Sequence, residues 1–165
     1  MIARYRVLAE RIRAELTPLG HVVDRAESAL DRATQQPDNQ EYFLAAAALD
    51  LHNFYSGAER LFELIARDVD QNVPSGSAWH RDLLAQLALP IPPVRPAVLS
   101  SDTDGTLRDY LGFRHVIRNA YTFDLKPDRV AELTRGLRAV FELVQRDLFS
   151  FAAFLDGLAV ADQDQ

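Results

Sequence analysis

Arg114, His115, Arg118, Asn119, Tyr121 and Thr122 form the densest run of chemistry-bearing side chains in the sequence. Placed on a helix at about 100° per residue, they share one polar arc of about 160°. Phe113, Val116, Ile117, Ala120 and Phe123 fall on the opposite arc. No Asp or Glu occurs between Asp109 and Asp124. One turn from Arg114 stand Tyr110 and Arg118, and one turn from Arg118 stand Arg114 and Thr122, so neither has an ion-pair partner on its own helix. Two like charges one turn apart repel each other unless something anionic lies between them. A guanidinium fork matches phosphate bidentately, which makes phosphate the natural candidate. Spacing alone leaves two bland readings open beside it. One is a solvated face whose cations complement a helix C-terminus. The other is cross-helix pairing with acids such as Glu59, Glu63 or Asp70.

The remaining candidates are weaker. His52, Ser56 and Glu59 share a helix face, but one His and a distant Glu make a poor metal site. Trp79 and His80 are expected to pack a short helix against its neighbours, with the His at the rim. His21 is expected to be solvated or to cap a helix. No Gly-rich loop follows a strand, so no phosphate-cradle motif is present. Cys is absent, which removes disulfides, thiolate metal sites and cysteine nucleophiles. No cofactor or metal is called for.

Helices must position these groups. Residues 2 to 35 read as helix, with Pro18 either kinking one helix or separating two. A second helix is expected from about 39 to 72, its apolar face built by Leu51, Phe54, Tyr55, Ala58, Leu61, Phe62, Ile65 and Val69. A short helix follows around Trp79 to Leu87. Pro90, Pro92, Pro93 and Pro96 then mark a stiff, extended strap, bounded at 88–100. Asp102, Thr103 and Asp104 offer N-caps for a helix from about 104 to 122. Pro127 and Asp128 suit the first turn of a final helix, whose apolar positions run from Val130 to Leu158. The tail 159–165 is expected to fray. No segment alternates as a strand does. The expected fold is all-α, a bundle of four to five helices in one domain spanning 1–165.

The 165 residues carry a net charge of −6, which argues against non-specific coating of nucleic acid but leaves room for a small basic cleft. No stretch approaches the roughly 20 apolar residues that span a bilayer. The first residues are broken by Arg and Glu and lack a signal peptide's apolar core. No membrane association and a cytoplasmic location are expected.

The run FRHVIRNAYTFDL, residues 113–125, resembles the signature of the HepT-like branch of the HEPN superfamily, an R-x4-H-x-Y motif near the end of a bundle helix. Residues 51–66 resemble that family's second helix and residues 76–84 its short third element. The resemblance covers about 45 to 158. It implies a HEPN-like homodimer with a cleft shared between protomers, acting as a toxin endoribonuclease that needs no metal. It also implies a minimal nucleotidyltransferase antitoxin as partner, which transfers AMP to the motif Tyr. On this sequence Arg114 matches the motif Arg and Tyr121 the motif Tyr. Asn119 occupies the position of the motif His, and an amide cannot act as general base near neutral pH. His115 would then handle protons, Asn119 would hydrogen-bond to the substrate, and Arg118 and Thr122 would help to bind RNA. A looser register pairs Arg108 with His115. The alternative is a catalytically silent module that dimerises and binds a nucleotidyltransferase or RNA, and a third reading is a small-molecule-binding bundle.

Overall fold

The computed structural model describes residues 2–119 and 125–161, with Ile2 and Asn119 described as backbone only. Among the described residues the regular structure is helical: α1 (Ile2–Gln35), α2 (Gln40–Ile65), α3 (Trp79–Ala88), α4 (Ser101–Asn119) and α5 (Pro127–Ala161). The expected all-α bundle is what forms. α1 packs along both α2 and α5, while α4 leans on α2, α3 and α5. Leu8, Ile12, Leu16, Leu19 and Val23 from α1 meet Leu51, Phe54, Ala58, Leu61, Phe62 and Ile65 from α2. Val130, Leu137, Val144, Leu148 and Leu155 of α5 close the core. Burial of these apolar faces drives the assembly.

Pro18 lies inside a continuous α1 and does not divide it. It sits on the exposed side of the helix, as does Ala14 one turn back, whose carbonyl loses its usual helical donor. On α2, Gly57 permits close approach of the next residue, Leu19: a Cβ there would lie 2.8 Å from Leu19 Cδ1.

α2 ends earlier than the periodicity predicts. It passes into a π-helical turn at Ala66–Asp70 and stops at Gln71, which adopts a left-handed conformation with φ 54°. The proline-rich segment is also not the extended strap expected. Residues 91–95 form a tight reverse turn, with Ile91 N–H donating to Arg95 O and Arg95 N–H donating back to Ile91 O, each at 2.9 Å. A charged residue causes the reversal. The Arg95 guanidinium, 0% exposed, donates to Asp70 Oδ1 at 2.5 Å and Oδ2 at 2.8 Å. It also donates to the carbonyls of Leu89, Pro96 and Gln86. The chain then runs on so that Val98 and Leu99 N–H both donate to Leu87 O, at the end of α3.

α4 begins at Ser101, three residues before the expected start, and its cap is Ser100 rather than Asp102, Thr103 or Asp104. Ser100 Oγ accepts from Thr103 N–H at 3.3 Å. Asp147 of α5 fixes this corner by accepting from Ser100 N–H at 2.8 Å and Thr103 Oγ at 2.6 Å. Further along, Tyr110 donates to Leu133 O at 2.7 Å and pins α4 to α5. α5 is helical through Ala161, with Leu155 and Ala159 buried, and the rest of the tail expected to fray, 162–165, lies outside the described residues.

Candidate functional site

α4 delivers Arg114 inward and His115 outward. Arg114 is only 8% exposed, whereas His115 and Arg118 lie on the open side of the helix. Arg114 reaches α2, where Nε donates to Ser56 Oγ at 3.3 Å and Nη2 stands 3.7 Å from Glu59 Oε1. It also reaches α3, where Nη1 lies 3.3 Å from His80 Nε2. Of the readings that spacing leaves open for Arg114, cross-helix proximity to an acid is therefore the one observed. Of the three acids weighed, Glu59 stands beside it, and Asp70 is taken by Arg95.

His80 is the residue that sequence reasoning placed wrongly. It is 7% exposed, not at the rim, and its Nδ1 lies 2.7 Å from Glu59 Oε2. A carboxylate only accepts and a guanidinium only donates. Both contacts are made together by one tautomer, with the proton on Nδ1 and the lone pair on Nε2. The neighbouring Trp79 ring packs against the imidazole, with centroids 3.6 Å apart. The His115 ring lies near-perpendicular to it, with centroids 5.8 Å apart. His80 is thus the point at which Arg114 and His115 converge.

Two cavities flank this junction. One of about 470 Å³ lies where α1 meets α2, lined by Asn53, Ser56, Glu59, Arg60 and Arg114 among others. The other, about 380 Å³, is lined by Ser77, Arg81, Arg108, Leu111, Gly112 and His115. Arg108, the cation of the looser register, is held by Asp104 on its own helix at 3.1 Å.

The electrostatics follow from burial and from Arg114. Burial lowers the His52 pKa, and the Arg114 and Arg118 charges push in the same direction, against a hydrogen bond from the imidazole to Asn53 and the Glu59 carboxylate. Burial raises the Tyr55 pKa, helped by Glu59 and opposed by Arg114. The Tyr55 hydroxyl is buried without a hydrogen-bond partner among the described residues.

The structure therefore brings Arg114, His115 and Arg118 to one helix end. Tyr121 and Thr122 lie outside the described residues, as does the Asn119 side chain. Ser56, Glu59 and His80 join the site from α2 and α3. For Ser56 and Glu59 the signal in the sequence was the polar row His52, Ser56 and Glu59 on one face of α2. Among the described residues, no group of three His, Cys, Asp or Glu is placed to hold a metal ion. No described helix is long and apolar enough to cross a membrane.

A family model described as HepT-like protein matches residues 46–155. No curated protein and no solved structure matches the chain. The matched span runs from α2 through most of α5, contains every residue of the Arg114 junction and covers more than half of the sequence, and so this chain belongs to the HepT-like family of the HEPN superfamily.

Proposed function

We propose that this chain is a toxin-type endoribonuclease that cleaves RNA without a metal and is restrained by a nucleotidyltransferase antitoxin. The observation that carries the reading is a buried, oriented Arg114 with an exposed imidazole, His115, beside it and the exposed Arg118 one turn on. RNA brings its own nucleophile. The 2′-oxygen bonds to phosphorus while the bond from phosphorus to the 5′-oxygen breaks, leaving a 2′,3′-cyclic phosphate and a 5′-hydroxyl. The proton lost by the 2′-hydroxyl is regained by the 5′-oxygen, with His115 as its carrier. Arg114 and Arg118 neutralise the charge that builds on the phosphate oxygens. Asn119 hydrogen-bonds to a ribose or phosphate oxygen, and Thr122 contacts the strand. Tyr121 is the residue on which the antitoxin deposits AMP. The chain acts as one domain and as a homodimer in the cytoplasm, with the cleft shared between protomers.

Digestion of single-stranded RNA in the presence of EDTA tests the activity. The expected result is cleavage with a cyclic phosphate end, lost in Arg114→Ala and His115→Ala. Cleavage unchanged by both substitutions removes the reading. Incubation with ATP and the nucleotidyltransferase, followed by mass analysis of the Tyr121 peptide, tests the partner.

One observation favours a second reading, a silent HEPN module that binds RNA or the nucleotidyltransferase. Asn119 stands where the motif places a proton-transferring His. If the wild-type chain is inert and Asn119→His switches cleavage on, the silent module is the better description.

A further inference from the structure

We propose that His80 is a positioning residue which holds the Glu59 carboxylate away from Arg114 and so keeps the guanidinium fork open for an RNA phosphodiester. The inference deepens the ribonuclease reading and rests on it.

The hydrogen-bond inventory of Arg114 carries the argument. A guanidinium has five N–H groups. Nε–H is used by Ser56, and one N–H of Nη1 points to the His80 Nε2 lone pair. The other N–H of Nη1 and both of Nη2 have no hydrogen-bond acceptor among the described residues, since Glu59 Oε1 stands at 3.7 Å. These free donors are what a phosphate needs.

A buried carboxylate this close to a buried guanidinium would ordinarily close on it as a bidentate pair. Glu59 does not, because its other oxygen is held 2.7 Å from His80 Nδ1. The imidazole therefore does two things at once. Its Nδ1–H diverts the acid, and its Nε2 lone pair turns the guanidinium. Trp79, packed against the ring at 3.6 Å between centroids, and His115, near-perpendicular to it at 5.8 Å, restrict the ring plane in which both contacts are made. A residue that merely filled space between α2, α3 and α4 would need neither nitrogen.

Removing His80 should let Glu59 collapse onto Arg114 and occupy the fork. The test uses the full chain with His80→Ala, Glu59→Gln, the double variant and His80→Asn. Binding of a short RNA blocked by a 2′-deoxy sugar is followed by fluorescence anisotropy, and cleavage of the unblocked RNA is followed alongside. The Arg114 guanidinium is observed separately through its side-chain nitrogen resonances. His80→Ala is expected to lower kcat/KM and affinity by about 100-fold, the scale of a misplaced catalytic group. Neutralising the acid in the double variant should recover at least about 10-fold of that loss, which a packing defect would not. His80→Asn keeps a donor for Glu59 and should stay within about 10-fold of wild type, and it serves if His80→Ala does not fold. Unchanged Arg114 resonances in both His80 variants, or a double variant no better than His80→Ala, overturn the proposal. Arg114 resonances altered in His80→Ala, together with a wild type that neither binds nor cuts RNA, overturn the ribonuclease reading alone.

Discussion

Glu59 and His80 come from different helices and meet 2.7 Å apart, each with less than a tenth of its side chain exposed. Truncating one partner leaves the other buried and unsatisfied, and this asymmetry is what makes such pairs costly to break. Glu59→Ala should lower the free energy of unfolding by about 3 kcal/mol, read from urea transitions. In a double-mutant cycle with His80→Ala, a coupling energy of about 1 kcal/mol or more is expected, because the two share one hydrogen bond. Simple additivity of the two losses would contradict the direct contact.

Arg95 and Asp70 make a second buried pair, far from the Arg114 junction, with exposures of 0% and 2%. The guanidinium also satisfies three carbonyls around the reverse turn and the end of α3. Arg95→Met should cost about 3 to 5 kcal/mol by leaving the buried Asp70 without its ion-pair partner, with only Gln86 Nε2 still donating to it. Arg95→Lys should recover little of it, since an ammonium cannot replace the planar fork that reaches carboxylate and carbonyls together. Thermal or urea unfolding of the two variants checks the order.

Most of the helices were legible because burial follows the 3.6-residue period: the apolar rows from Leu51 to Val69 and from Val130 to Leu158 are buried in large part. Misjudged positions were those where a polar contact between distant residues overrides local preference. Arg95 bends a proline-rich segment that read as extended, and Asp147 together with Ser100 starts α4 ahead of three better-looking caps. The same limit applies to the site. One helix displays Arg114 and His115 as a pattern, but the period of that helix says nothing of what α2 and α3 bring against it. Glu59 was visible as one of three possible partners, while His80, adjacent to Trp79, gave no sign of being buried.

Asp147 should make the molecule acid-sensitive through α4. Burial alone would raise its pKa, yet hydrogen bonds from Thr103, the Ser100 N–H, Arg146 and the Ser100 hydroxyl outweigh burial and hold the carboxyl below its ordinary value of 3.8. The unfolded chain therefore takes up this proton first as pH falls. Stability from this group is present above the ordinary carboxylate range and is lost as pH drops through the lowered native pKa. Asp147→Asn should flatten that part of the profile in urea unfolding as pH falls through and below the ordinary carboxylate range. An identical slope in the variant would contradict the assignment.

His52 should contribute in a higher window with the same sign. Its pKa is lowered first by burial and then by the Arg114 and Arg118 charges. Between the ordinary value of 6.5 and the lower native one, the unfolded state binds the proton and the folded state resists it. Stability should fall as pH drops below 6.5, and His52→Gln should lessen that fall. Proton NMR of the His52 ring should show titration below the ordinary value, with an upward move in Arg118→Gln as one repelling charge is removed.

Arg114→Lys separates charge from geometry at the proposed scissile phosphate. Lysine keeps the cation, but one ammonium cannot donate along the Arg114 Nε direction to Ser56, along the Nη1 direction to His80, and to a phosphate in a planar fork. If orientation is what Arg114 supplies, the substitution should lower RNA cleavage by about 100-fold or more, comparable to removing a preorganised donor. If charge alone suffices, Arg114→Lys should cleave within a few-fold of wild type while Arg114→Gln fails. Single-turnover cleavage at saturating enzyme decides between them, because it reads the chemical step free of product release. The orientation result is expected, since Ser56 of α2 and His80 of α3 both engage the Arg114 guanidinium, and a diffuse positive charge would need neither of them.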